Sequence, residues 1–572
     1  MTPSITPSYG SHADLLESSS ASSLTVRTPE QRAVETPLLQ ITQIPFCRPR
    51  FANCLNMRAC RETIHEVLQF RPGVGASLSG LGLMVDMYDL SAMNVALDLL
   101  EQTYGPQSPA QQAMMTSSVL IGSVVGQLGF GACSDKIGRK NLTLLVSGLT
   151  LIGSLGTALA LPLSKSSPQS IYCTITAMRF LLGLGIGGEF PLSASNTVEQ
   201  TQIKNSSTAL AYAMMILNSG AALAGSVFTG LLKFNPGHDD VNWRLGLGFG
   251  AVLSAITLTL RFCLLKESPV FTQQAAVIDM RIDLEAHHEH TKMPHQQTPL
   301  LQQVKPITAA KKLSIVDKLQ TGLKSPWLKP VAGAAITWFL YDVSAFGIGL
   351  YSSDMLADKG DNLGAAKSLL LSNAVALPFS ALSMLLISDR LLGRQKSQIL
   401  GLGGMAIMLG CMAISQGVLS SSKASSQDMP THFTPKIQRL LFTTLFAAYN
   451  SFDAVGPGTS TFAFSSEIFP AHSRGTFHGI AAAAGKAGGA LGAMGFPYMK
   501  KCLGTEGSIL LTGGVCALGA LLTHLLLPNY TNQHLQVLEE LGNTASDDQL
   551  VKMIYDKNPP TNASLDGPST SA

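Results

Sequence analysis

Apolar stretches of about twenty residues recur along this chain, separated by short polar segments and one long one. A helix of that length, rising about 1.5 Å per residue, crosses the hydrocarbon of a bilayer. The stretches predict helical spans at 76–100, 112–133, 142–163, 170–195, 206–233 and 244–265, then at 331–355, 366–388, 398–418, 438–463, 477–499 and 506–527. The pattern predicts an all-α membrane protein with twelve transmembrane helices in two six-helix halves, 76–266 and 331–527. A polar central loop covers 267–330, and polar tails cover 1–75 and 528–572. Residues 1–45 are rich in Ser, Thr and Pro and lack the apolar core of a signal peptide. The tail 1–75 is therefore expected to be disordered.

Composition strengthens the membrane reading. Only 13% of the residues are charged, against roughly 25% in soluble proteins. The 53 glycines suit helices packed in lipid. A net charge of +3 without a long Lys/Arg run argues against a nucleic-acid partner. The placement of the basic residues sets orientation. Lys136, Arg139 and Lys140 follow span two, and Arg390, Arg394 and Lys396 follow span eight. The central loop carries Lys305, Lys311, Lys312, Lys318, Lys324 and Lys329, whereas loops 101–111 and 356–365 are poor in basic residues. Both tails and the central loop are thus expected in the cytoplasm. The nine cysteines show no zinc spacing, and His287, His288 and His290 lack partner ligands, so neither a metal nor a cofactor is expected. Gly183-Leu184-Gly185-Ile186-Gly187-Gly188 matches a dinucleotide-binding glycine pattern, but it lies inside an apolar span, where helix packing is the better account. No Ser-His-Asp arrangement and no P-loop is present, so an enzyme is not expected.

Asp86 and Asp89 in span one, Glu189 in span four and Asp342 in span seven are candidate functional acids, because intramembrane acids mark ion or substrate paths. Asp86 and Asp89 are three apart and predict one shared helix face. Trp338, Asp342 and Phe346 form a stripe, as do Glu189 and Ser193. The plainer alternative is a set of structural ion pairs. Spans one and seven hold no Lys or Arg, so such pairs need a partner from another helix, with Arg179 and Lys486 available.

Two polar signatures recur at the predicted cytoplasmic end. Gly126, Gly129 and Gly131 precede Ser134-Asp135-Lys136-Ile137-Gly138-Arg139-Lys140, and the pattern returns as Asp389-Arg390-Leu391-Leu392-Gly393-Arg394. Glycines allow close helix approach, and each Arg can latch through paired hydrogen bonds. Glu267-Ser268-Pro269 closes span six, and Glu467-Ile468-Phe469-Pro470 with Arg474-Gly475 closes span ten. Glu199, the counterpart of Glu467, has only Lys204 nearby in sequence, which predicts a weaker latch in the first half. These segments resemble the signatures of the major facilitator superfamily. The resemblance implies a cytoplasmic gate at Asp135, Arg139, Glu199, Asp389, Arg394, Glu467 and Arg474.

Three further segments resemble the phosphate:proton symporter family of that superfamily. They are Val85-Asp86-Met87-Tyr88-Asp89-Leu90, Gly185–Ala194 around Glu189, and Trp338-Phe339-Leu340-Tyr341-Asp342. His478-Gly479-Ile480 with Gly485-Lys486 also fits, and the resemblance covers about 76–269 and 331–527. It implies a secondary active symporter of inorganic phosphate or a phosphate ester, working by alternating access. Asp342, Trp338, Phe346, Glu189, Phe190, Asn218, Gly458 and Lys486 are the implied substrate contacts. Asp86, Asp89 and Glu189 are the implied proton carriers, and Lys486 either neutralises the anion or pairs with an acid. The chain departs from the family at Phe190, Phe346 and Gly458, each of which lacks a hydrogen-bond donor that the family has. A missing buried donor costs about 1–3 kcal/mol, which gives weight to a larger phosphate ester. A carrier of a sugar, organic anion or organic cation, and a non-transporting nutrient receptor, are the alternatives. The expected partners are a small-molecule substrate, protons and the lipid bilayer, with the chain a monomer. The expected site is the plasma membrane. The leucine pairs within Thr36–Gln40 and Thr298–Gln302 keep an endosomal or lysosomal membrane open.

Overall fold

The computed structural model describes residues 57–164, 167–268, 272, 326–352, 360–424, 435–469, 473–541 and 546–556. The His287–His290 tract, the central-loop lysines 305–324 and both leucine pairs lie outside them. The helices are α1 (Met57–Gln69), α2 (Val74–Tyr104), α3 (Pro109–Ile137), α4 (Arg139–Ala158), α5 (Ile171–Glu199), α6 (Ser206–Phe234) and α7 (Asp239–Leu264). After the central loop come α8 (Leu328–Gly349), α9 (Asn362–Leu386), α10 (Gly393–Ala424), α11 (Pro435–Val455), α12 (Pro457–Glu467), α13 (Arg474–Leu526), α14 (Asn532–Leu541) and α15 (Asp547–Tyr555). Nine of the described helices are long and apolar enough to cross a membrane by length and composition. The 53-residue α13 breaks at Gly504, whose φ is 72°. Gly456-Pro457 separates α11 from α12, because proline has no N–H for the preceding turn. With α13 split and α11–α12 taken as one interrupted helix, six long helices lie on each side of the central loop.

The surface is apolar where a soluble protein would be polar. Ile152, Phe262, Ile407 and Leu510 are all more than half exposed, as expected of side chains that face lipid. The interior instead uses small residues. A Cβ added at Gly183 would lie 2.1 Å from the Val119 carbonyl oxygen, and one at Gly187 would lie 2.3 Å from that of Ser123. The glycine-rich run in α5 therefore serves close packing of α5 on α3. The two halves meet mainly where α3 packs on α13 and α6 on α9.

The expectation of a disordered tail over 1–75 needs correction. Residues 57–69 form α1, which is amphipathic, and its Glu66 bonds Lys204 at 3.4 Å and Arg390 at 2.9 Å. The tail after 527 also folds back. α14 and α15 bury Leu535, Leu538, Leu550 and Met553 against the core. Apolar faces at helical spacing outweighed the polar average of both segments.

Candidate functional site

A cavity of ≈ 160 Å³ lies between the halves. α2 supplies Asp86, α5 Phe190, α6 Asn218, α8 Trp338, Tyr341, Asp342 and Phe346, α11 Tyr449 and Asp453, α12 Gly458, and α13 Lys486. At its centre the Lys486 ammonium donates to Asp342 Oδ2 at 3.0 Å. Both side chains are nearly fully buried, at 5% and 1% exposure. The ammonium also sits 4.5 Å from the Phe346 ring and 4.9 Å from the Phe190 ring. Two aromatic faces thus stabilise the cation where the Asp342 pair leaves it partly open. Trp338, four residues before Asp342 on α8, lines the same wall. Asn218 Nδ2 donates to Ser380 Oγ at 2.7 Å, tying α6 to α9 across the halves.

Two of the sequence-predicted acids lie elsewhere. Glu189 does not line the cavity. Its carboxylate pairs with both terminal nitrogens of Arg261 on α7, one at 2.7 Å, and accepts from Ser193 Oγ at 2.5 Å. Gly82 on α2 makes room for this pair, since a Cβ there would lie 1.9 Å from Arg261 Nη2. Asp89 points toward α4 and α7, where Oδ1 accepts from Ser154 Oγ at 3.1 Å. A spacing of three turns about 60° around a helix, enough to put Asp86 in the cavity wall and Asp89 behind it. Arg179 is not the partner of the Asp89 carboxylate, because its guanidinium reaches the Asp89 backbone carbonyl at 3.4 Å. Asp86 Oδ2 and Asp89 Oδ2 are buried without a hydrogen-bond partner.

The cavity wall also holds residues that the sequence alone does not single out, Tyr449 and Asp453 among them. Asp453 has its Oδ1 buried without a hydrogen-bond partner. It sits five residues before Gly458 in a predicted span, so its position as an intramembrane acid was the available signal.

At the predicted cytoplasmic end the Arg139 guanidinium donates to Glu199 at 2.9 Å and to the Ser134 carbonyl at 2.8 Å. Glu199 also accepts from Ser268 Oγ at 2.5 Å and lies 3.8 Å from Arg474 of the other half. The partners of this latch thus come from distant segments, while Lys204 pairs with Glu66 on α1. The second latch is denser. Arg394 donates to Glu467 at 2.9 Å, to Asp389, to Asn532 at 2.6 Å and, across the halves, to Ser207 at 2.5 Å. Glu467 accepts in turn from Ser206 at 2.5 Å and from Tyr530 at 3.0 Å. The Asp135 side chain lies outside the described residues. At the opposite end Asn94 Nδ2 donates to the Gly349 carbonyl at 3.0 Å, so bonds join the halves above and below the cavity.

Comparison with known proteins identifies this architecture. The family model described as "Sugar (and other) transporter" matches residues 77–541. The chain belongs to this transporter family. Relatives within reach include the low affinity inorganic phosphate transporter 1 of Petunia hybrida, 27% identical, with 80% of this chain and 91% of that one covered. The inorganic phosphate transporter 1-1 of Oryza sativa subsp. japonica is 29% identical, with 81% and 92% covered. Among solved structures, the major facilitator proton:xylose symporter XylE bound to 6-bromo-6-deoxy-D-glucose matches with a TM-score of 0.60 at 18% identity. That match covers 80% of this chain and 96% of XylE. The partially occluded inward-open XylE from E. coli gives 0.59 at 19%, covering 79% and 97%. The fold is therefore the major facilitator fold, and the chain is a multi-pass membrane protein.

Proposed function

We propose that the protein is a proton-coupled symporter of inorganic phosphate or a phosphate ester, working by alternating access as a monomer in the plasma membrane. The observation that carries this reading is the Asp342–Lys486 pair in the cavity wall, with Asp86 unpartnered beside it. Lys486 is the cation an anionic substrate would approach, and Asp342 can accept from the hydroxyl of a protonated phosphate. Sulfate has no such hydroxyl at neutral pH, so the pair would favour phosphate. Asp86 is the acid that would take the proton. Anion binding and protonation of a neighbouring carboxylate favour each other, which is the linkage symport needs. Asp89 stands one layer behind as a relay. Glu189, held by Arg261, keeps the charge near Asp86 fixed rather than carrying the proton itself. The similarity to proteins named inorganic phosphate transporters supports the substrate class.

In this reading the latches of Arg139 and Arg394 hold the predicted cytoplasmic end closed while the cavity loads. They must break together for release, because Ser206, Ser207 and Arg474 tie each latch to the opposite half. The test is uptake of labelled phosphate into proteoliposomes under an inward proton gradient, comparing wild type with Asp342→Asn. Gradient-driven uptake that the variant loses is expected. Equal uptake in the two would remove Asp342 from the substrate site.

A further inference from the structure

Charge is out of balance in the cavity wall. Asp86, Asp342 and Asp453 face it, with Lys486 the one cationic side chain among the described lining residues. Lys486 is already committed to Asp342 at 3.0 Å. Asp453 Oδ1 is buried without a hydrogen-bond partner. Asp86, 2% exposed, has an unpartnered buried oxygen as well. Even with the transported proton on Asp86, two acids, Asp342 and Asp453, face one ammonium before any substrate arrives. A phosphate group alone would add negative charge beside the buried Asp86 and Asp342, where like charges repel more strongly than in water. A substrate that brings its own positive group would cancel it.

Space and wall chemistry agree with this. The ≈ 160 Å³ of the cavity is roughly ten times the volume that admits one water, so inorganic phosphate would leave most of it unfilled. The wall near Asp453 is aromatic: Tyr341, Phe446 and Tyr449 line it, the last two stacked with ring centroids 5.8 Å apart. Aromatic faces attract ammonium groups. Gly458 keeps the corner open, since a Cβ there would lie 3.0 Å from the Asp453 carbonyl oxygen and 3.5 Å from the Tyr341 hydroxyl.

We infer that the substrate is a zwitterionic phosphate ester, with its phosphate toward Lys486 and its ammonium group held by Asp453 among Tyr341, Phe446 and Tyr449. The inference rests on the phosphate reading above and adds the positive group to it. Phosphocholine, glycerol phosphate, choline and inorganic phosphate serve as competing probes in proteoliposome uptake, with wild type, Asp453→Asn and Asp453→Glu. Phosphocholine is expected to compete at least about tenfold better than glycerol phosphate in wild type. Asp453→Asn is expected to erase that preference, and Asp453→Glu to restore part of it. The wild-type comparison needs no variant to fold. Equal competition by phosphocholine and glycerol phosphate, with phosphate uptake intact, would overturn the inference and leave the phosphate reading standing. Competition by choline with none by any phosphate compound would overturn both.

Discussion

The Glu189–Arg261 pair offers the sharpest test of how the first half is held together. Both side chains are 2% exposed. Arg261→Leu leaves the Glu189 carboxylate buried with Ser193 as its remaining hydrogen-bond partner. Glu189→Gln leaves a buried guanidinium with Ser147 Oγ and the Leu78 carbonyl. Removing one member of a buried pair costs about 3–5 kcal/mol, whereas replacing both is often close to neutral. The double variant Glu189→Gln/Arg261→Leu should therefore be more stable than either single one, with a coupling energy above about 2 kcal/mol in a double-mutant cycle. Gly82→Ala supplies an independent route to the same pair. Its Cβ would lie 1.9 Å from Arg261 Nη2, so it should destabilise wild type strongly and the Arg261→Leu background much less. The assay is unfolding in mixed detergent micelles followed by tryptophan fluorescence. Additive single-variant effects, or an equal effect of Gly82→Ala in both backgrounds, would refute the reasoning.

Three further outcomes are expected. Gly250→Ala places a Cβ 1.9 Å from Asp89 Oδ1, so it should displace Asp89 from Ser154 and lower the proton-driven rate, read as gradient-dependent uptake against gradient-free exchange. Glu467→Gln weakens a carboxylate that joins Arg394, Tyr530 and Ser206, and hydrogen exchange should rise about tenfold or more at 204–207 and 530–534 for a loss of about 1.5–3 kcal/mol. His534, outside the spans, is held below its usual value by burial. Because folding lowers it, docking of α14 and α15 keeps its full stability above the unfolded value of about 6.5 and loses it as pH falls below that. Exchange at 532–541 should therefore accelerate on acidification, and His534→Gln should flatten the dependence.

The helical halves were legible because spanning lipid demands long apolar runs, and the twin Arg139 and Arg394 latches because their loop signature repeats. Partners contributed by distant segments were not. Arg261 lies in an apolar span, and only the three-dimensional packing of α2, α5 and α7 brings it to Glu189. Asp86 and Asp89 shared a predicted face, yet a rotation of about 60° separates cavity from interior. Asp453 was legible only as a lone acid in an apolar span, because the acids that share its cavity, Asp86 and Asp342, come from other helices. α1 hid in a tail whose average composition is polar, since its apolar side chains gather on one face only in helical form.

Coupling itself is best tested without an imposed gradient, by trapping a pH-sensitive dye inside proteoliposomes and adding substrate outside. The account predicts that added phosphate or phosphate ester acidifies the lumen in wild type, and that Asp86→Asn abolishes the acidification. Uptake of labelled substrate with no proton movement, or acidification that survives in Asp86→Asn, would contradict it.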